Sequence, residues 1–161
     1  MAQARMEVGV VGERVEPVTA WGSARWYPRA VLPEVPGAAP GTALPGRQRY
    51  LGPALLEFHR VETANYRENL ATGAPRLWVV LDADGSVVAV TADPAEGEGF
   101  TEAGVDLADR TVETVPMPAP IADALAAFVA EHHVERVFHK RRRDRADPDA
   151  LGRRARLEDE P

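Results

Sequence analysis

The sequence predicts an α+β fold: an antiparallel β-sheet or partly closed β-roll of five to six strands, with one short helix and a long C-terminal helix. Three observations carry that expectation. Short β-branched runs are set apart by Pro and Gly, one pair of runs is closed by an Asp-Gly turn, and sustained helical periodicity appears near the C-terminal end. The 161 residues are of one-domain size, enough to bury a core. The expected organisation is a single domain over 1–145 and a charged, disordered tail over 146–161.

Val8 to Val15 is β-branched and stops at Glu16-Pro17, which makes it a first strand. Arg25 to Leu32 is a second, placed at a sheet edge because Pro28 cannot donate to a ladder. From 33 to 46 the chain is rich in Pro and Gly and reads as a loop. Arg49 to Arg60 is a longer strand, bulged at Gly52-Pro53, with Leu56 and Phe58 on one face and Glu57 and His59 on the other. Glu62 to Ala71 suits a short helix stopped by Gly73 and Pro75. Leu77 to Leu81 and Val87 to Val90 flank Asp82-Ala83-Asp84-Gly85-Ser86, where Gly85 can take positive φ and close a hairpin. Asp93 to Asp109 reads as acidic and irregular, and Thr111 to Val115 as a brief strand.

Pro116-Met117-Pro118 leads into the C-terminal helical pattern, which runs on to Arg145. At 100° per residue Ile121, Leu125, Phe128 and His132 share one stripe, whereas Val134, Val137 and Phe138 fall nearly opposite. One stripe can pack on the sheet. The other requires a kink near His132-His133, another part of the fold, or a partner.

Charge is distributed unevenly. The net formal charge is -6, yet Arg136 to Arg145 holds six basic residues and one acidic, a local +5, so the remainder carries -11. That polarity points to a partner or ligand rather than to a reaction. Lys140 is the sole lysine among nineteen basic residues, so arginine content by itself says little about phosphate binding. The chain has no cysteine, which excludes disulfides, thiolate metal sites and cysteine nucleophiles. The opening residues are charged at once and no apolar run approaches the roughly 18 residues of a membrane span, so a cytoplasmic protein without membrane contact is expected.

Candidate chemistry is sparse. Leu77 to Ser86 resembles the first motif of haloacid dehalogenase-type phosphohydrolases, in which the first Asp attacks phosphorus and the second is general acid and base beside Mg²⁺. That fold needs parallel strands and helices after the motif, a later lysine and a later acidic pair. Here strand-like residues resume directly after Ser86, and a tight hairpin explains the same residues. Glu57, His59 and Glu62, with His132 and His133, lack the spacing of a metal site, and no metal or cofactor is expected. No G-x-S-x-G, P-loop or G-x-G-x-x-G occurs.

Several stretches together resemble an uncharacterised bacterial family whose genes lie beside those for formate dehydrogenase and its maturation factors. They are Val8 to Arg14, Trp21 and Trp26 with Ala30 to Pro33, Leu56 to Arg60 continuing through Glu62 to Leu70, Pro116 to Pro118, and Phe138 to Arg143. The Glu-Thr-x-x-Tyr-x-x-Asn-Leu element and the basic end are the most specific. Where the family tends to have Ser-Pro-Tyr-Glu-Ala, this chain has Asp93-Pro94-Ala95-Glu96-Gly97. The resemblance implies a non-catalytic accessory or maturation factor that binds a protein partner, either a subunit of a molybdenum- or tungsten-dependent formate dehydrogenase or another maturation factor. On that reading Val134, Val137 and Phe138 are apolar anchors and Lys140, Arg141, Arg142 and Arg143 steer association. Glu57, His59, Glu62, Tyr66 and Asn69 form a second partner-binding site. The alternative is a nucleic-acid or anion-binding module using the same arginines, against which the acidic remainder of the chain weighs. A phosphohydrolase is the third reading.

Overall fold

Six strands and three α-helices make up the computed structural model, which describes residues 4–103 and 110–133. The strands are β1 (Ala4–Val15), β2 (Arg25–Leu32), β3 (Gln48–Phe58), β4 (Arg76–Leu81), β5 (Val87–Thr91) and β6 (Thr111–Pro116). The helices are α1 (Thr63–Ala71), preceded by a 3-10 turn at Arg60–Glu62, α2 (Pro94–Ala103) and α3 (Ala119–His132).

The strands form two antiparallel sheets of three, ordered β2-β1-β3 and β5-β4-β6, rather than one continuous sheet or closed barrel. The sheets meet along their edges: β2 lies beside β6, and β3 beside β5. Each sheet has an apolar central strand, and Val8 and Val10 of β1 join Leu77, Val79 and Leu81 of β4 in a common core. As Pro28 requires, β2 is an edge strand, with Pro28 opposite Gly12 where the register shifts. The Gly52-Pro53 irregularity is a bulge: the register shifts between Val10 and Val11, and Gly52 takes φ +129.

The Asp82–Ser86 hairpin is present. The Asp82 N–H donates to Ser86 O at 2.8 Å, the Gly85 N–H donates to Asp82 O at 3.0 Å, and Gly85 has φ +88. Trp26 of β2 lies against this turn, so a Cβ at Gly85 would stand 3.0 Å from the indole. Asp82 therefore comes directly after the middle strand of an antiparallel sheet and is followed by β5, not by a helix.

Two expectations need correction. The stretch after Asp93 is not wholly irregular, because Pro94–Ala103 is a helix. The C-terminal helix is also shorter than its sequence pattern: it stops at His132, and the His133 backbone is extended at ψ 126. Ile121, Leu125 and Phe128 are buried, and Phe128 stacks on His132 with ring centroids 4.6 Å apart. Val134, Val137, Phe138, Lys140, Arg141, Arg142, Arg143 and the 146–161 tail lie outside the described residues. At the helix start, Met117 is buried between the two prolines and its N–H donates to Pro75 O at 2.9 Å. Among the described residues no helix is long and apolar enough to cross a membrane.

Candidate functional site

Alternation along β3 sends Leu56 and Phe58 into the core and leaves Glu57 and His59 half-buried on the opposite face. The Glu57 carboxylate and the His59 imidazole lie 3.4 Å apart. The chain then turns through Arg60–Glu62 into α1, and the residues of the Glu-Thr-x-x-Tyr-x-x-Asn-Leu element separate into two kinds.

Tyr66 and Asn69 face inward, only 1% and 4% exposed, which takes them off any partner-binding surface. The Tyr66 ring packs with Phe58 and Phe128, with centroids 5.9 and 6.2 Å away, and its hydroxyl accepts from the His59 N–H at 2.9 Å. Burial pushes the Tyr66 phenol up to about 12. The Asn69 amide donates to Arg76 O at 2.8 Å and Ala92 O at 2.9 Å, and its oxygen accepts from the Arg76 N–H at 2.9 Å. One side chain thus ties α1 to the start of β4 and the end of β5. Thr63, also buried, faces His133: Oγ1 is 3.1 Å from Nδ1.

Glu62 faces the other way, toward Asp93. The Asn65 amide donates to both carboxyls, to Glu62 Oε2 at 3.0 Å and Asp93 Oδ1 at 3.0 Å. Burial first, then the Asp93 carboxylate and a hydrogen bond shared with it, hold the Glu62 carboxyl above the usual carboxylate range; His59 opposes this and Glu96 adds to it. Asp93 Oδ1 also accepts from the Ala95 N–H at 2.9 Å, opening α2, and Glu96 follows in the first turn.

Beside them lies a groove of about 180 Å³ between β3 and β5, with Glu57 and His59 on one wall and Glu96 on another. Leu55 and Val88, 44% and 38% exposed, supply apolar surface to it. The site is an acidic, partly apolar surface carried by rigid strands. Among the described residues no group of three or more His, Asp and Glu side chains is arranged to hold a metal ion. Beyond α1, a cleft of about 450 Å³ lies between α1, β4 and α2, with Trp78, Arg76, Glu68 and Glu98 in its lining.

A family model described as "Protein of unknown function (DUF3305)" matches residues 7–142. The chain belongs to the DUF3305 family. No curated protein and no solved structure matches the chain. The DUF3305 match takes in both sheets, the groove and the basic run through Arg142.

Within this DUF3305 chain, sequence reasoning brought Glu57, His59 and Glu62 to one neighbourhood and missed Asn65, Asp93 and Glu96. A signal for the last two was present. Asp93-Pro94-Ala95-Glu96 puts an N-cap acceptor, a proline at the first helical position and a glutamate at the third, the pattern of a helix start. Gly97 and Gly99 right after it lowered the helical signal. Asn65 had no signal of its own, since its role depends on Asp93 arriving from 28 positions away.

Proposed function

We propose that this DUF3305 protein is a non-catalytic accessory factor that holds a protein partner during biogenesis of a molybdenum- or tungsten-dependent formate dehydrogenase. One observation carries the reading. The most specific residues of the α1 element, Tyr66 and Asn69, are buried and spent on fixing α1 to β4 and β5, which suits a scaffold for a surface better than a reacting centre. The surface so fixed mixes exposed Leu55 and Val88 with Glu57, His59 and Glu96, a composition suited to a polar-rimmed protein contact. The formate dehydrogenase assignment comes from the sequence resemblance, and the basic segment from Lys140 to Arg143 contributes steering.

Deleting the gene in the native host and following formate dehydrogenase is the test. The expected result is accumulation of metal-poor, inactive enzyme, restored by the wild-type chain and poorly restored by a Leu55→Asp, Val88→Asp double variant. Formate dehydrogenase with normal metal content and activity in the deletion strain would overturn the reading.

A further inference from the structure

The groove between β3 and β5 is lined by two carboxylates, Glu57 and Glu96, and by His59, which faces Glu57. Glu57 comes from β3 and Glu96 from α2; Glu62, in the turn before α1, lies outside the lining but close enough to feel the charges of His59 and Glu96, and it is joined to the buried Asp93 through Asn65. Among the described residues no Lys or Arg forms an ion pair with any of these four. Glu57 and Glu96 place like charges on one half-buried surface, which favours the arrival of a cation; burial first, and then Asp93, raise the affinity of the neighbouring Glu62 for its proton. Leu55 and Val88 beside the carboxylates offer apolar area for the stem of a long basic side chain.

The chain itself delivers cations to this neighbourhood. The described C-terminal end is His133, whose ring is 3.1 Å from Thr63 Oγ1 and 2.7 Å from Arg67 Nη1. Thr63 is the residue next to Glu62, so the backbone leaves α3 alongside the first turn of α1. Arg136, at the head of the +5 segment, is three positions further on, and Lys140 is seven. Seven residues span up to about 25 Å when extended. The segment lies outside the described residues.

We propose that the groove is the docking surface for the chain's own basic segment, with Lys140 to Arg143 set against Glu57, Glu62 and Glu96 and their alkyl stems over Leu55 and Val88. The contact joins a +5 segment to the acidic remainder at the acidic site beside the segment's origin. Arginines held there are withheld from any outside protein or polyanion, so an outside partner competes with the groove for them. Self-docking occupies the groove that the maturation reading gives to a partner, but its test concerns only two parts of one chain.

Because Lys140 is the only lysine, zero-length coupling of amines to carboxylates reads the contact directly. The full chain is treated with a water-soluble carbodiimide at low micromolar concentration, and the isopeptide bonds in the monomer are mapped by mass spectrometry. Lys140 is expected to couple to Glu57, Glu62 or Glu96 in preference to distant carboxylates such as Glu13 and Glu113. Yield should fall several-fold at about 1 M salt, where the screening length is roughly 3 Å. It should also fall several-fold in an Arg141→Ser, Arg142→Ser, Arg143→Ser variant, which keeps both coupling partners. Absence of coupling to the three glutamates, equal coupling to Glu13, coupling only between chains, or a yield indifferent to salt and to the Ser variant each overturns the proposal. A normal formate dehydrogenase in the deletion strain would leave this result untouched.

Discussion

Gly97 sits directly on the indole of Trp78: a Cβ at that position would come closer to Trp78 Cγ than real Cβ atoms come to anything. The helix α2 can therefore lie on β4 only because one residue of its second turn has no side chain. Gly97→Ala should gain up to about 1 kcal/mol of helix propensity and lose more, about 1–3 kcal/mol net, to overpacking. In a Trp78→Ala background the same change should become neutral or stabilising. Urea denaturation of the four proteins closes the cycle, and equal effects of Gly97→Ala in both backgrounds would disprove the contact.

Asn69 holds three backbone groups, and no other side chain type offers one acceptor and two donors in that shape. Asn69→Leu should cost about 3 kcal/mol or more by stranding the Arg76 N–H and the Arg76 and Ala92 carbonyls. Asn69→Asp keeps the acceptor and loses both donors. Thermal unfolding should show both variants well below wild type, and a loss under 1 kcal/mol for Asn69→Leu would contradict the assigned bonds.

The Tyr66 phenol, ordinarily near 10 and about 12 in the folded chain, makes stability fall at high pH. The sign follows from proton binding: between those values the folded state keeps a proton that the unfolded state has released, so its contribution is whole below 10 and lost as pH rises toward 12. Tyr66→Phe should lessen the alkaline descent, leaving the share of Tyr50, whose phenol burial also raises, and, by leaving the His59 N–H without its acceptor, cost about 1–3 kcal/mol at neutral pH. Stability measured from pH 8 to 11 on both proteins checks the slope.

Glu62 behaves in the same sense at acid pH. Its folded carboxyl is held above its ordinary value of 4.5, so its contribution is present below that value and is lost as pH rises through the raised one. Glu62→Gln keeps an acceptor for Asn65, gains a donor toward Asp93 and sheds the charge. It should be more stable than wild type at pH 7, with the difference shrinking toward pH 4. Chemical denaturation at the two pH values decides it, and a variant less stable at pH 7 would show that the charged form is the favoured one.

Strand positions were legible because each strand carries its own signal. Pro28 announced an edge, Gly52-Pro53 a bulge and Asp82 to Gly85 a hairpin, and each is resolved by residues close in sequence. What was not legible depends on distant residues. Alternation along a strand tells which face is buried, not which strand lies beside it, so two sheets of three and one sheet of six read alike. Helix α2 was hidden by Gly97 and Gly99, whose purpose becomes apparent for Gly97 only once Trp78 lies beneath it. The α1 element pointed to the right neighbourhood, but Tyr66 and Asn69, with Thr63, are polar residues of its inner face, and single-sequence periodicity cannot separate a buried polar clamp from an exposed recognition residue.

The division of the strands into two ladders has a bearing on motion. β1 and β4 are each paired with a strand on both flanks, whereas among the described residues β2, β3, β5 and β6 are each paired with one strand, β3 adding backbone bonds to the 41–44 loop, and lie beside the other sheet without a ladder to it. Packed side chains can slide where a ladder of hydrogen bonds would have to break. The molecule thus has two stiff spines and two seams, and the seam between β3 and β5 runs under the Glu57–Glu96 groove. Whatever lodges in that groove grips both halves at once, so its arrival should slow amide exchange along β3 and β5 together while leaving β1 and β4 as they were.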